Sequence, residues 1–331
     1  MKKIINDPNT VVQDMLAGFV AAYPKDVKLL PDTTVIARKN APIENKVGLV
    51  SGGGSGHEPA HAGYVGEGML DAAVAGEVFT SPTPDQVFEA IKAVDGGAGV
   101  LLIIKNYTGD VMNFEMAAEM AEAEGIQVEQ VVVNDDVAVE DSSFTTGRRG
   151  IAGTVFVHKI AGAKAMQGAT LQEVKAAAEK TIANVRSIGM ALTPCIVPAA
   201  GTPSFTLEEN EMEIGIGIHG EPGIERKNIV AADDIATELT EKVLADMDLQ
   251  NGDEVAVMVN GLGATPEMEL YIINKKVNDI LTEKGIAVYG TFVGEYMTSL
   301  EMAGCSVTLL KLDQELKELL DAESKAPAFR R

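Results

Sequence analysis

The chain reads as an α/β protein built of two α/β domains, each a mixed or mostly parallel sheet flanked by helices. Three observations predict this. Short β-branched runs alternate with helical patterns through the first half. The segment GVLLIIKN is apolar on both faces, as a central parallel strand is, rather than alternating. A Gly/Pro-punctuated stretch, SIGMALTPCIVPAAGTPSF, then separates this half from a second alternation of strands and helices. The division falls at residues 1–187 and 188–331.

In the first half the expected strands are Thr34–Ala37, Val47–Val50, Ala72–Val74, Val100–Ile104 and Val128–Val133. The expected helices are Thr10–Ala22, roughly Glu58–Val65, Pro84–Val94, Val111–Glu124 and Thr154–Gln167, followed by an amphipathic helix over Thr170–Ser187. Thr170 with Glu173 three residues on has the form of a capping box. In the second half, strands are expected near Glu213–Ile218, Glu254–Val259, Ala287–Phe292 and Ser306–Lys311. Helices are expected at Asp234–Met247, Pro266–Lys284 and Asp313–Leu320.

Bulk properties exclude several classes of function. A formal net charge of -22 argues against nucleic acid, whose phosphates it would repel. Only two cysteines, Cys195 and Cys305, occur, far apart, so neither a disulfide framework nor a CxxC metal site is indicated. MKKIINDPNT lacks the apolar core of a signal peptide, and no span reaches membrane length. A cytoplasmic setting is expected.

Ligands in open α/β sheets bind beyond the carboxyl ends of strands. Three unusual segments fall at such ends: SGGGSGH after Val47–Val50, KNYTGD after Val100–Ile104, and HGEPG after Glu213–Ile218. The first two can share one crevice and the third comes from the other domain, so a site between domains is expected. The glycines at 52, 53, 54 and 56 allow backbone amides close to a ligand, and a helix starting near Glu58 would add its positive end. His57 is placed as a hydrogen-bonding acid or base, although a tight turn with a surface histidine has the same spacing. Lys105 and Asp110 would add charge to the crevice, although Lys105 could equally be a solvated strand end and pattern alone favours Asp110 as the cap of the following helix. His219 is either a histidine satisfied by backbone or an imidazole nucleophile. Arg148 and Arg149 in TTGRRG could bind an anion or serve a docking role.

Three pattern matches fail on context. HEPAH, His57 to His61, has the zinc-protease spacing, but Pro59 suits a first helical turn and not the middle that the motif requires. No metal site is expected. GIGIHG fits a dinucleotide fingerprint, but Pro222 and Gly223 interrupt the helix it needs. SGGGSGH lacks the GK[ST] ending of a nucleoside-triphosphate loop, so a kinase of this sequence takes its phosphoryl donor from elsewhere.

Read in order, SGGGSGHEP, FTSPTPDQ, LLIIKNYTGD, DDVAVEDS–TTGRRG, VPAAGTPSF, GIGIHGEPG, NGLGATP and TSLEMAG–LLKLD resemble the dihydroxyacetone-binding subunits of dihydroxyacetone kinases over essentially the whole chain. The resemblance implies a homodimer of two-domain α/β subunits. It makes His219 the covalent anchor, its imidazole adding to the ketone carbon of dihydroxyacetone to give a hemiaminal. It places Gly54, Ser55, Gly56 and His57 in the loop that holds the triose, with Lys105 and Asp110 beside it. Asp110 is then the base for the hydroxyl that receives phosphate, with His57 assisting. Covalent capture selects a carbonyl over glycerol, a near-isostere that contacts alone discriminate poorly. It also requires a neutral imidazole.

The chain ends soon after LLKLDQELKELLDAESKAPAFRR, without the nucleotide-binding domain that ATP-dependent members carry. The resemblance therefore implies the phosphoenolpyruvate-dependent type. This chain would bind no cofactor, and ADP and Mg2+ would sit on a phosphoryl-donor partner subunit recharged by a phosphotransferase-system phosphocarrier relay. The alternative is a triose-sensing coactivator paralog of a transcription regulator. Intact His57 and Asp110 favour catalysis.

Overall fold

The computed structural model describes residues 2–139 and 147–331. The first sheet contains β1 (Val27–Leu29), β2 (Val35–Arg38), β3 (Gly48–Ser55), β4 (Ala72–Val78), β5 (Val100–Lys105) and β6 (Val128–Val133), in the order β1-β2-β4-β3-β5-β6. Strands β4, β3, β5 and β6 are mutually parallel; β1 and β2 run antiparallel at one edge. Helices α1 (Val11–Ala22), α2 (Pro84–Val94), α3 (Thr108–Ala123), α4 (Thr154–Met166) and α5 (Leu171–Asn184) complete this half. β5 is buried along its whole length, as its unbroken apolar run predicts.

The second sheet contains β7 (Val185–Ala191), β8 (Glu211–Ile214), β9 (Glu225–Asn228), β10 (Glu254–Gly261), β11 (Ala287–Gly294) and β12 (Gly304–Leu312), in the order β11-β10-β12-β7-β8-β9. Only β10 and β11 pair in parallel. The other neighbours are antiparallel, so this sheet is mixed rather than a copy of the first. Helices α6 (Ala232–Ala245), α7 (Glu267–Glu283) and α8 (Gln314–Asp321) flank it.

One apolar core runs through both halves. Leu49 and Ile103 of the first sheet and Met258 and Leu310 of the second pack into the same cluster through Val155, Phe156 and Ile160 of α4, Ala178 of α5 and Leu316 of α8. Separate cores cover the outer faces, under α2 and α3 on one side and under α6 and α7 on the other. The two sheets are thus held against a shared helical layer, and groups at their facing ends have fixed separations.

Four expectations change. The glycines of SGGGS are not a loop: β3 continues through them, Gly52, Gly53 and Gly54 pairing with Val74, Ala75 and Gly76 of β4. Tertiary pairing overrides their poor strand propensity. The helix expected over Glu58–Val65 is a set of turns with one 3-10 turn at Ala62–Tyr64. Its backbone is held from far along the chain, Thr298 Oγ1 donating to Glu58 O and Ala328 N to Gly63 O. The helix expected to reach Ser187 stops at Asn184, because Val185–Ala191 pairs with β12. Its capping box, Thr170 with Glu173, is present. The strand expected over Glu213–Ile218 ends at Ile214, where a turn closes with Gly217 N donating to Glu221 O. Among the described residues no helix is long and apolar enough to cross a membrane.

Asn260 on β10 anchors the segment that later reaches the site. It is 1% exposed. Its Nδ2 donates to Met297 O at 2.8 Å, and its Oδ1 accepts from Tyr296 N and Met297 N at 2.8 and 2.9 Å. Asn260→Ala leaves these buried backbone groups without a partner. It is expected to lower unfolding stability by about 2–4 kcal/mol, read as a fall in the urea midpoint at constant slope.

Candidate active site

The site forms where β3 outruns β5. The two strands pair only as far as Ser51 and Ile103, so the edge of Gly52–Ser55 is left open toward Lys105 at the end of β5. Lys105 is 1% exposed, and an ammonium so buried is tolerable only when its protons find acceptors. Its Nζ lies 3.3 Å from Gly52 O, 3.0 Å from His61 Nε2 and 3.6 Å from Asp110 Oδ2. Burial lowers its pKa, while Asp110 pulls it back up. Gly53 makes this possible, because a Cβ there would stand 2.3 Å from Lys105 Nζ.

Asp110 is the third residue of α3, where a carboxylate also complements the helix dipole. It does not cap the helix, whose N-cap is Tyr107 with no side-chain cap. Asp110 Oδ2 faces Lys105. Oδ1 is buried with no hydrogen-bond partner among the described residues, so one carboxylate oxygen is left for a ligand.

His57 follows Gly56, whose φ of +103° turns the chain sharply out of β3. The His57 ring is fully buried, stacked on Phe79 at 5.0 Å. Its Nδ1 lies 2.7 Å from Thr298 O, and a carbonyl can only accept, so Nδ1 carries the proton. Nε2 is then a lone pair, and it has no partner among the described residues. Burial, then the nearby His219 and Lys105, hold this imidazole well below its ordinary pKa. It is a neutral acceptor.

His219 sits in the turn after β8, across from His57, with ring centroids 4.8 Å apart and edge to face. Its Nδ1 is 2.7 Å from Glu221 Oε1, and its backbone N donates to Glu221 Oε2 at 2.9 Å. Burial alone would raise Glu221, but the His219 contact and the Arg149 charge bring it down to about 2. A carboxylate on Nδ1 fixes the proton there, so in the neutral ring the lone pair is on Nε2. Phe79 and Tyr107 wall the ring at 5.2 and 4.7 Å. The Tyr107 hydroxyl is buried without a partner among the described residues, and burial keeps it a phenol.

The expected residues therefore converge: His57, Lys105 and Asp110 from the first half, His219 from the second. Gly54 lies in the open-edged part of β3 and Gly56 makes the turn, but the Ser55 hydroxyl donates to Gly76 O and is committed within the sheet. The helix end expected near Glu58 is absent, and with it the helix-dipole contribution to the loop. His57 and His61 do not share a ligand position: His57 faces Thr298 and His219, His61 faces Lys105 and His158. Arg149 is engaged by Asp136 and Gly215 O, and Arg148 by Asp246, so both serve internal structure. Glu140 to Thr146, part of the DDVAVEDS–TTGRRG run, lies outside the described residues. Sequence reasoning missed Glu221, Phe79, Tyr107 and Thr298. Each lies inside a quoted motif, and Glu221, one glycine beyond His219, was the most legible.

Residues 17–328 match the Dak1 domain. The chain is 60% identical over 315 residues to the dihydroxyacetone-binding subunit of PTS-dependent dihydroxyacetone kinase 1 of Listeria innocua, covering 95% of each. The structure of the dihydroxyacetone kinase from C. freundii in complex with AMP-PNP and Mg2+ aligns with a TM-score of 0.92 at 36% identity, over 99% of this chain and 61% of that one. The dihydroxyacetone kinase operon co-activator Dha-DhaQ aligns with a TM-score of 0.89 at 39% identity, over 95% and 97%. These matches define a phosphotransferase whose fold is a pair of mixed sheets flanked by helices. Within that class, the chain belongs to the family of dihydroxyacetone-binding subunits of phosphotransferase-system-dependent dihydroxyacetone kinases.

Two outcomes follow from this geometry. Histidine 15N spectra should show His57 neutral with Nδ1–H at pH values where an ordinary imidazole, with a pKa of about 6.5, is already protonated, because burial depresses its pKa; an imidazolium forming at the ordinary value would contradict the burial argument. Gly53→Ala should displace Lys105 and reduce turnover by about 10- to 100-fold, with the far-ultraviolet circular dichroism unchanged.

Proposed function

We propose that this chain is the substrate subunit of a phosphoenolpyruvate-dependent dihydroxyacetone kinase, binding dihydroxyacetone as a hemiaminal on His219 and presenting its hydroxyl for phosphorylation. The observation that carries the reading is the pair of imidazoles 4.8 Å apart, each with Nδ1 engaged, with His57 Nε2 and one Asp110 oxygen unpartnered among the described residues. His219 Nε2 adds to the ketone carbon as the C=O π bond breaks. The proton the ring loses from Nδ1 passes by way of Glu221 to the carbonyl oxygen, so the adduct is neutral and Glu221 ends ionised as it began. The buried Tyr107 hydroxyl, which stays a phenol, is available to donate a hydrogen bond to that oxygen. Asp110 then accepts the proton of the terminal hydroxyl as it attacks phosphorus, with the lone pair of His57 orienting the same hydroxyl. Lys105 holds Asp110 in place and offsets its charge.

The phosphoryl group comes from a partner subunit, where ADP would be the leaving group as the P–O bond breaks and Mg2+ would offset the phosphate charge. A phosphotransferase-system relay recharges that partner, the substrate subunit works as a homodimer, and the setting is the cytoplasm. The likeness to the operon co-activator supports a second reading, a triose sensor. It is disfavoured by two free proton acceptors, His57 Nε2 and Asp110 Oδ1, which binding alone does not require.

Dihydroxyacetone labelled with carbon-13 at the ketone distinguishes these readings. Wild type should convert the trigonal carbon resonance to a tetrahedral one, and His219→Ala should abolish that signal together with discrimination against glycerol. Persistence of the adduct in His219→Ala would remove the nucleophile. Asp110→Asn should keep the adduct but lose at least about 100-fold in phosphorylation with the donor partner present. Unchanged turnover would remove Asp110 as base, and adduct without turnover in wild type would establish the sensor.

A further inference from the structure

All four histidines of the chain lie around the site, but only His57 and His219 border the substrate crevice. The other two stand behind Lys105. His61 Nε2 is 3.0 Å from Lys105 Nζ, and His61 Nδ1 is 3.0 Å from His158 Nε2. Both rings are buried, His61 at 6% and His158 at 0% exposure. We infer that His61 and His158 are positioning residues, forming a directional relay that holds the Lys105 ammonium against Asp110 and the glycine strand.

Hydrogen-bond direction carries the argument. Lys105 Nζ can only donate, so His61 Nε2 must accept and His61 must carry its proton on Nδ1. That proton needs an acceptor, which is His158 Nε2, so His158 carries its own proton on Nδ1, a buried nitrogen with no partner among the described residues. Each ring therefore fixes the tautomer of the next. The contact to His61 is the shortest that Lys105 makes, ahead of those to Gly52 O and Asp110 Oδ2. Without His158, His61 is free to turn an N–H toward Lys105, setting donor against donor and moving the ammonium away from its carboxylate. Burial and the Lys105 charge keep both rings neutral, His158 pushed down to about 3. The groups facing Lys105 are Gly52 O from β3, His57 and His61 from the following turns, Asp110 from α3 and the Tyr107 ring at 5.9 Å.

The relay rests on the proposed function for its consequence, but its first test does not. With only four imidazoles, a 15N-histidine spectrum of the ligand-free chain should show His61 and His158 both neutral and both protonated on Nδ1. A proton on His61 Nε2, or an imidazolium at either position at pH 7, overturns the relay. The second test compares His158→Leu, which removes the acceptor, with His158→Gln, whose side-chain oxygen can replace Nε2. His158→Leu should cut kcat by about 10- to 100-fold with little change in KM. It should also move the alkaline fall of kcat to lower pH, because burial already lowers the Lys105 pKa and loss of an acceptor lowers it further. His158→Gln should restore both. Equal kcat and pH profile in wild type and His158→Leu, or Gln behaving like Leu, would show His158 to be packing alone. If wild type gives no ketone adduct, the proposed function fails and the tautomers still decide the relay.

Discussion

The site depends on how the segment Thr298–Leu300 is stitched to the turn after β3. Thr298 N donates to His57 O, Thr298 O accepts from His57 Nδ1, Thr298 Oγ1 donates to Glu58 O, and Leu300 N donates to Gly56 O. Between them, Ser299 Oγ donates at 2.6 Å to Ile218 O, the carbonyl immediately before His219. Three consecutive residues of the second half thus grip both histidines that face the crevice. The grip is itself held by Asn260, whose amide bonds secure Tyr296 and Met297 just upstream. The imidazoles stand where they do because backbone groups on both sides are paired, leaving little freedom for either ring.

Burial then turns geometry into protonation state. Three of the four rings each meet a group of fixed polarity, a carbonyl for His57, a carboxylate for His219 and an ammonium for His61. Each partner dictates which nitrogen carries the proton. Desolvation lowers the pKa of His57, His61 and His158, so three imidazoles stay neutral around one ammonium. On the other side Arg149, held by Asp136, supplies positive charge that helps keep Glu221 ionised. The result is a crevice in which the His57 lone pair and one Asp110 oxygen have no partner among the described residues.

The glycine-rich strand has a different use from the one its composition suggests. Glycine-rich segments after a strand commonly turn backbone amides toward a ligand. Here the run stays in the sheet, and at Gly53 the missing side chain admits Lys105 from the neighbouring strand. The expectation of a glycine loop in contact with substrate came from the right residues with an incomplete physical cause, since part of that contact is to the protein's own lysine. The failed helix at Glu58–Val65 has the same origin. Local pattern allowed a helix, while Thr298 and Ala328, far along the chain, hold its backbone otherwise.

Local pattern alone determined the alternation of elements, the buried central strand β5, the capping box of α5 and the segments that carry the chemistry. Each of these depends on side chains within a few residues of one another, so periodicity and turn residues report them directly. The family resemblance supplied the roles proposed for His219, His57 and Asp110 before any geometry was visible. Tertiary structure alone decided the mostly antiparallel second sheet, the single core through both halves, and the partners Glu221, Phe79, Tyr107 and Thr298 that aim and wall the rings. Those features arise from pairings across long stretches of chain, Thr298 with His57 being 241 residues apart. No local pattern encodes which distant backbone group will satisfy a buried donor.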